Sequence, residues 1–245
     1  MTVTSAPLLS LCFGKSEEEV RKTILAAVAR NPLLFLDEHA GRAGRDQTVI
    51  FEGLSFKLQI ARSRKPASAP KTIFISTQPD MIATSVAIEF GPNLAGGLRI
   101  PAIVKAYLEF ASILASEIDA AAVRVHAANL ICGVDYFLEA VTSYVAGGPF
   151  PALALITFDP LESGKGFQTT GLAAFSGQEL AFEADTMPKS EMMRRVVRLV
   201  HDIAANGPIA HAETLPDIDE GAYIDVVPPD AGSLMVSAYL RFGAK

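Results

Sequence analysis

The order of strand-like and helix-like segments is the sequence feature that most constrains the fold of this chain. Runs of β-branched and aromatic residues, typical of strands, usually follow one another directly and outnumber the helical patterns. A doubly wound nucleotide-binding fold would instead alternate strands with helices. The sequence therefore predicts an α+β fold, with mixed or mainly antiparallel sheets and about four helices packed against them.

The opening of the chain predicts a strand followed by a helix. Apolar residues between Leu8 and Phe13 indicate the strand. Ser16 and Glu19 have the spacing of a capping box, in which each side chain satisfies a free backbone N–H group of the first helical turn. The helix should end at Asn31-Pro32, because a residue before proline avoids helical torsions.

The same patterns predict the other elements. Helices are expected at 101–118, 135–145 and from Pro188 to about Ala205. Strands are expected as a pair within 48–61, then at 72–76, 82–90, 121–125 and 152–158, as a hairpin over 167–183 that turns at Ser176-Gly177, and at 209–214, 222–227 and 233–242. We expect one compact unit over 1–245, or a subdivision into 1–97 and 98–245.

The hairpin segment carries a family resemblance. Residues 169–180, TTGLAAFSGQEL, combine a T-x-G-L strand, a small turn with glycine and a following E-L. In this pattern the chain resembles the bacterial family called domain of unknown function 4261, over about residues 100–245. The strand Ala121 to Val125 and the helix with Tyr136-Phe137 support the resemblance.

The chain departs from that family in one respect. The family often places tryptophan near the ends of the two strands before the hairpin, whereas this chain has no tryptophan. His126 and Ile156 stand at about those positions. Since the family has no assigned activity, the resemblance implies a fold and no substrate, cofactor or catalytic residue.

Charge is distributed unevenly along the chain. The net charge is −6; residues 1–71 hold 11 Lys or Arg and 7 Asp or Glu, and residues 72–245 hold 10 and 20. An acidic majority repels phosphate backbones, so nucleic-acid binding is not expected, whereas a basic protein partner would be attracted. The alternative is that the charge serves solubility alone.

The apolar runs and the two cysteines do not favour a membrane protein, a zinc protein or a disulfide-bonded protein. No uninterrupted apolar run approaches the ~20 residues that span a bilayer, and Met1 to Leu11 lacks a basic leader, so we expect a cytoplasmic protein without a membrane segment. Cys12 and Cys132 lack the spacing of a zinc site or a disulfide framework. Neither cysteine indicates a cofactor, and we predict none.

Four residues are the candidates for catalysis: Asp159, Glu162, His126 and Thr169. Two nearby carboxylates can share acid and base roles when their surroundings separate their pKa values. His126 follows an apolar strand, where a histidine acts either as a general base or as a hydrogen-bonded structural residue. The sequence contains no G-x-S-x-G nucleophile motif.

Basic residues form two candidate binding patches. One is the polar face of the helix after Pro188, which suits either an anion or solvent, with Arg194, Arg198 and His201. The other candidate patch forms only if two basic loops converge, and the alternative is that the two loops are independent. The first loop contains Arg42 and Arg45, and the second contains Arg62, Arg64 and Lys65.

Metal and phosphate motifs are incomplete. The carboxylates of Asp217, Asp219 and Asp225 crowd a short loop, which indicates either a hard-cation site or a solvated acidic turn, and the spacing differs from that of an EF-hand. Ser163 to Gly166 resembles part of a phosphate-binding loop but precedes a predicted strand, which favours a hairpin loop. None of the four histidines, His39, His126, His201 and His211, has zinc-site spacing.

Because every catalytic template fails, the sequence favours a non-enzymatic binding or interaction protein. Its acidic majority motivates the narrower hypothesis of an immunity-like protein that binds a basic partner. The alternative is an enzyme or small-ligand-binding protein with an unrecognised site near the strands at 159–179.

Overall fold

The computed structural model of the chain describes residues 7–37, 46–63, 68–76, 81–91, 94 and 97–242. The chain divides into two compact units, an N-terminal unit of residues 1–148 and a C-terminal unit of residues 149–245. The predicted subdivision at 97/98 differs from this boundary. The strands Ala122–Val125 and Leu130–Gly133 complete the sheet that begins with the first strand, so this part of the chain belongs to the N-terminal unit.

The N-terminal unit contains an eight-stranded sheet and three longer helices among its described residues. Its elements are β1 Leu9–Phe13, α1 Glu17–Arg30, β2 Leu34–Leu36, β3 Asp46–Phe51, β4 Leu54–Arg62, β5 Lys71–Ile73, β6 Thr84–Phe90, α2 Pro101–Glu117, β7 Ala122–Val125, β8 Leu130–Gly133 and α3 Val134–Val145. The strand order is β2-β3-β4-β6-β1-β7-β8-β5. The pairing is antiparallel except between β5 and β8.

The capping box at the start of α1 is confirmed. Ser16 accepts a hydrogen bond from the backbone N–H of Glu19, and the Glu19 carboxylate accepts one from the N–H of Ser16 at 2.8 Å. The Ser16 hydroxyl also donates to this carboxylate, at 2.6 Å, and this bond together with that from the Ser16 N–H places the pKa of Glu19 below its ordinary value. The helix ends at Asn31, as predicted from the proline that follows.

The C-terminal unit contains a six-stranded sheet with one long helix packed on it. Its elements are α4 Ala152–Leu155, β9 Thr157–Pro160, β10 Gly166–Thr170, α5 Ala173–Ser176, β11 Glu179–Glu183, α6 Lys189–Asn206, β12 Glu213–Pro216, β13 Ala222–Val227 and β14 Met235–Phe242. The strand order is β12-β13-β14-β11-β10-β9. The described pairs are antiparallel except β11 with β14.

The core of the C-terminal unit lies between α6 and one face of its sheet. Leu180 pairs with Val236, and Val226 pairs with Ala238, so these buried side chains share that face. The helix contributes an apolar stripe: Met192, Val196, Leu199, Val200 and Ile203 are all buried. The buried stripe also includes Arg195, and the other charged residues of α6 lie outside it.

The predicted α+β class, with mixed and mostly antiparallel sheets, is confirmed, and four of the helices in the described residues are long. Several local predictions differ, among them the strand at 209–214, of which only Glu213 and Thr214 belong to β12. The predicted strand at 152–158 begins with the helical turn α4, and only its end belongs to β9. Strands β2 and β8 were not predicted. The hairpin at 167–183 exists, but its connection contains the helical turn α5 and is not a tight turn at Ser176-Gly177.

Candidate functional site

The connection between β10 and β11 is organised by the carboxylate of Glu179. This carboxylate accepts hydrogen bonds from the Thr169 hydroxyl at 2.6 Å and from the N–H groups of Gly171 at 2.8 Å, Leu172 at 3.2 Å and Ala173 at 3.1 Å. The three N–H groups belong to the start of the α5 turn, where backbone donors have no partner within the helix. Glu179 therefore caps α5 from outside it.

The remaining residues of the T-x-G-L and E-L pattern complete this cap. Thr169 also accepts a hydrogen bond from the N–H of Leu180 at 2.8 Å, and Leu172 and Leu180 are fully buried. Gly171 and Gly177 have φ angles of 105° and 83°, which favour glycine. Thr169 is 2% exposed, and its hydroxyl oxygen takes part in two hydrogen bonds within the protein. These contacts give Thr169 a structural role.

The other catalytic candidates of this region do not join Thr169. Asp159 pairs with Gln168 across β9 and β10, whereas Thr169 pairs with Phe158. Because neighbouring residues of a strand point to opposite faces, Asp159 and Thr169 lie on opposite faces of the sheet. Glu162 is exposed in the loop between the two strands. The same loop contains Lys165, which pairs with Asp185 at 3.0 Å, so the segment at 163–166 is a hairpin loop.

His126, in the N-terminal unit, contacts a buried serine. Its Nε2 lies 2.8 Å from the hydroxyl oxygen of Ser10, which is 2% exposed. Burial, with the nearby charge of Arg124, lowers the pKa of His126 to about 4, so the imidazole is neutral at pH 7. A neutral imidazole beside a hydroxyl can act as a base, but no described carboxylate bonds to its other nitrogen.

A buried ion network connects α6 to the acidic loop of the C-terminal unit. Arg195 is completely buried; its Nε donates to Asp217 at 2.8 Å, and its Nη2 donates to Asp219 at 2.5 Å. The side chain of Asp217 is also fully buried, and its Oδ1 has no hydrogen-bond partner among the described residues. Burial opposes the charge of Arg195, but the bonds to Asp217 and Asp219 place its pKa above the ordinary value.

The loop carboxylates proposed as cation ligands are therefore engaged by arginines. Asp217 and Asp219 contact Arg195, and Asp225 contacts Arg241 and accepts a hydrogen bond from Thr214 at 2.8 Å. Across the described part of the chain, no three His, Cys, Asp or Glu side chains are arranged to hold a metal ion. Arg195 was missed at the sequence level, although it falls within the apolar stripe of α6.

The basic residues of the two candidate patches contact different partners. Arg194 pairs with Glu191 at 3.0 Å, and Arg198 lies 3.9 Å from Asp202. His201 accepts the backbone N–H of Phe150 at its Nδ1, at 2.9 Å. Arg62 is exposed at the end of β4. His39 and the remaining residues of the two predicted basic loops, Arg42, Arg45, Arg64 and Lys65, lie outside the described residues.

A cavity of about 440 Å³ lies in the C-terminal unit, between α6 and the sheet. This volume is within the range of small-molecule and side-chain binding pockets. Its floor consists of side chains from three elements that are at most 3% exposed, so little of their surface is reachable from the mouth: Leu180, Leu199, Ile203 and Val226. Ile209 and Leu215, both half-buried, extend the apolar lining toward the mouth.

The segment from Gly207 to Ile209, which forms part of the cavity lining, is fixed by its backbone conformation and by two hydrogen bonds. Gly207, with a φ of 94°, ends α6 and lets the chain turn back along the pocket. The side-chain amide of Gln178 then fixes Ile209: its nitrogen donates to the Ile209 carbonyl at 2.9 Å, and its oxygen accepts the Ile209 N–H at 2.8 Å. Two reciprocal bonds to one residue leave little freedom in this segment.

The polar part of the lining is acidic. Asp202 on α6 and Glu213 at the start of β12 contribute carboxylates, and Asn206 contributes an amide. Glu213 and Asn206 are exposed, and the Asp202 side chain is 38% exposed, so these groups surround the mouth. No described Lys or Arg lines the cavity. The pocket therefore combines an apolar floor with a negatively charged rim.

The fold and this pocket define an α+β protein of two compact units, one of which has an apolar cavity with an acidic mouth. No protein-family model, curated protein or solved structure matches the chain. The resemblance at residues 169–180 therefore stays a prediction. No helix in the described ranges combines the length and apolar character needed to cross a membrane.

Proposed function

We propose that this protein is a non-enzymatic binding protein that holds an apolar group of a partner molecule in the cavity of its C-terminal unit. The observation that carries the proposal is the cavity over Leu180, Leu199, Ile203 and Val226, whose reachable apolar lining is formed by half-buried Ile209 and Leu215. Apolar pockets with a few polar groups at the rim are the usual form of a ligand or side-chain site.

The positions of the ionisable groups favour binding over catalysis. Thr169 is fixed by Glu179, and Asp159 lies on the opposite face of the sheet from Thr169. The Ser10–His126 pair is the observation that best supports the alternative, an enzyme. However, Ser10 is 2% exposed, so its hydroxyl is not presented to a substrate.

The distribution of charge supports a basic partner. Residues 149–245 contain 13 Asp or Glu and 7 Lys or Arg, whereas residues 1–148 contain 14 of each. The whole net charge of the protein therefore belongs to the unit with the cavity. An acidic surface accelerates the approach of a basic protein, which is the property that an immunity-like role requires.

The proposal is tested with 1-hexanol as an apolar probe and methyl NMR spectra of the full chain. We expect dose-dependent shifts at Leu180, Leu199, Ile203 and Val226, and unchanged methyl signals at Leu11 in the N-terminal unit. The variant Leu215→Trp places a large ring at the half-buried edge of the lining and should reduce the shifts. Absence of shifts at the solubility limit of hexanol, or equal shifts in both units, would contradict the proposal.

A further inference from the structure

We infer that the group held in the cavity is an aliphatic cation, the side chain of a lysine or arginine presented by a basic protein partner. This inference rests on the proposed function and adds the chemistry of the occupant. It is carried by two features of one site, the apolar floor and the carboxylates of Asp202 and Glu213 at its mouth.

The two rim carboxylates have spare capacity for a cation. Asp202 is 3.9 Å from Arg198, at the limit of an ion pair, and both side chains are more than a third exposed. No described side chain pairs with Glu213, which is exposed. Exposed carboxylates of this kind are held only weakly by their own protein, so an incoming cation can bind them without displacing a strong pair.

Four basic groups of the C-terminal unit are paired away from this site. Their partners are carboxylates of the same unit: Glu191 for Arg194, Asp217 and Asp219 for Arg195, Asp225 for Arg241, and Asp185 for Lys165. None of these cations lines the cavity. An anionic ligand would therefore meet two negative charges at the mouth, one of which lies 3.9 Å from Arg198.

Lysine and arginine side chains match both parts of the site. Their methylene stems bury against apolar surface while their charged ends remain near water and carboxylates. In the cavity the stem would contact Ile209 and Leu215, and the charged end would remain between Asp202 and Glu213. A neutral alkyl chain would gain only the first of these interactions, and an alkyl carboxylate would gain the first but be repelled at the rim.

Three probes with the same six-carbon chain separate these contributions: n-hexylammonium, 1-hexanol and hexanoate, titrated into the full chain at pH 7 and followed by methyl NMR. We expect n-hexylammonium to bind about three- to tenfold more tightly than 1-hexanol, because each exposed ion pair contributes modestly. Hexanoate should bind more weakly than 1-hexanol. The preference for the cation should fall as salt is added.

Matched variants assign the preference to the rim. In Asp202→Asn with Glu213→Gln, n-hexylammonium and 1-hexanol should bind equally. The control, Asp230→Asn with Glu220→Gln, removes the same formal charge from exposed residues outside the lining and should keep most of the preference.

The outcomes distinguish this inference from the proposed function. If 1-hexanol shifts the cavity methyl signals and the cation binds no more tightly, the inference is wrong and the proposed function stands. If the control variants abolish the preference as fully as the rim variants, the attraction belongs to the whole unit and the inference is again wrong. If no probe shifts the cavity signals, both are wrong.

Discussion

The buried pair of Arg195 and Asp217 predicts a large difference between two neighbouring substitutions. In Asp217→Ala, a fully buried guanidinium loses the acceptor of its 2.8 Å Nε bond and keeps Asp219 as its main charged partner. Removing one member of a buried ion pair costs about 3–5 kcal/mol. Because Asp219 still contacts Arg195, we expect a cost near the lower end, about 3 kcal/mol.

Asp219→Ala is the matched control in the same loop. The Asp219 side chain is 63% exposed, whereas that of Asp217 is fully buried, although both contact the same nitrogen of Arg195. Exposed ion pairs contribute about 0.2–1 kcal/mol, so the cost should stay at or below about 1 kcal/mol. The double variant Arg195→Met with Asp217→Leu replaces both charges by apolar side chains and should be more stable than Asp217→Ala.

Native-state hydrogen exchange of the α6 amides is the suitable assay. A global unfolding curve would combine two compact units, whereas exchange reports the opening free energy of each element separately. The amides of α2 in the N-terminal unit serve as the internal reference. Equal losses in Asp217→Ala and Asp219→Ala, or a double variant no more stable than Asp217→Ala, would refute the reasoning.

Two further predictions concern Glu179 and His126. Glu179→Ala should lower the hydrogen-exchange protection of the β10 and β11 amides by about 2–3 kcal/mol, because four donors lose a charged acceptor. Glu183→Ala, on the same strand, should change this protection little. Equal effects of the two substitutions would contradict the capping role. Because the pKa of His126 falls from 6.5 to about 4 on folding, the unfolded chain takes up its proton first, and stability should fall as pH decreases from 6.5 to 4, by at most about 3 kcal/mol. His126→Gln should remove this loss, and His211→Gln should retain it, in the hydrogen-exchange protection of the β1 and β7 amides after correction for the intrinsic exchange rate at each pH. Parallel profiles for the wild type and His126→Gln would contradict the prediction.

Local signals were sufficient for most elements. The capping box and Asn31-Pro32 defined both ends of α1, and the sequence at 206–208 defined the end of α6, because these residues act on the backbone next to them. Apolar runs without turn residues were ambiguous. ALALI at 152–156 suits a strand or a helical turn, and the four residues of β8 precede α3 directly, so no loop separates the two patterns.

The candidate site required contacts between distant parts of the chain. The floor of the cavity combines Leu180, Leu199 and Val226, and neither its volume nor its acidic rim is visible in any single segment. Arg195 could have been found, since it lies three residues after Met192 and four before Leu199, on the buried stripe. The capping role of Glu179 depends on the helical turn α5, which the sequence did not predict.

The position of β14 has a consequence for the order in which the C-terminal unit can assemble during synthesis. This strand lies between β11 and β13, so until it leaves the ribosome the sheet exists only as two fragments, β9-β10-β11 and β12-β13. The hairpin that ends with β11 must wait, with an unpaired edge, while α6 and two more strands are made. Completion of this unit therefore waits for the synthesis of β14, and a chaperone that shields the edge of β11 would act in that interval.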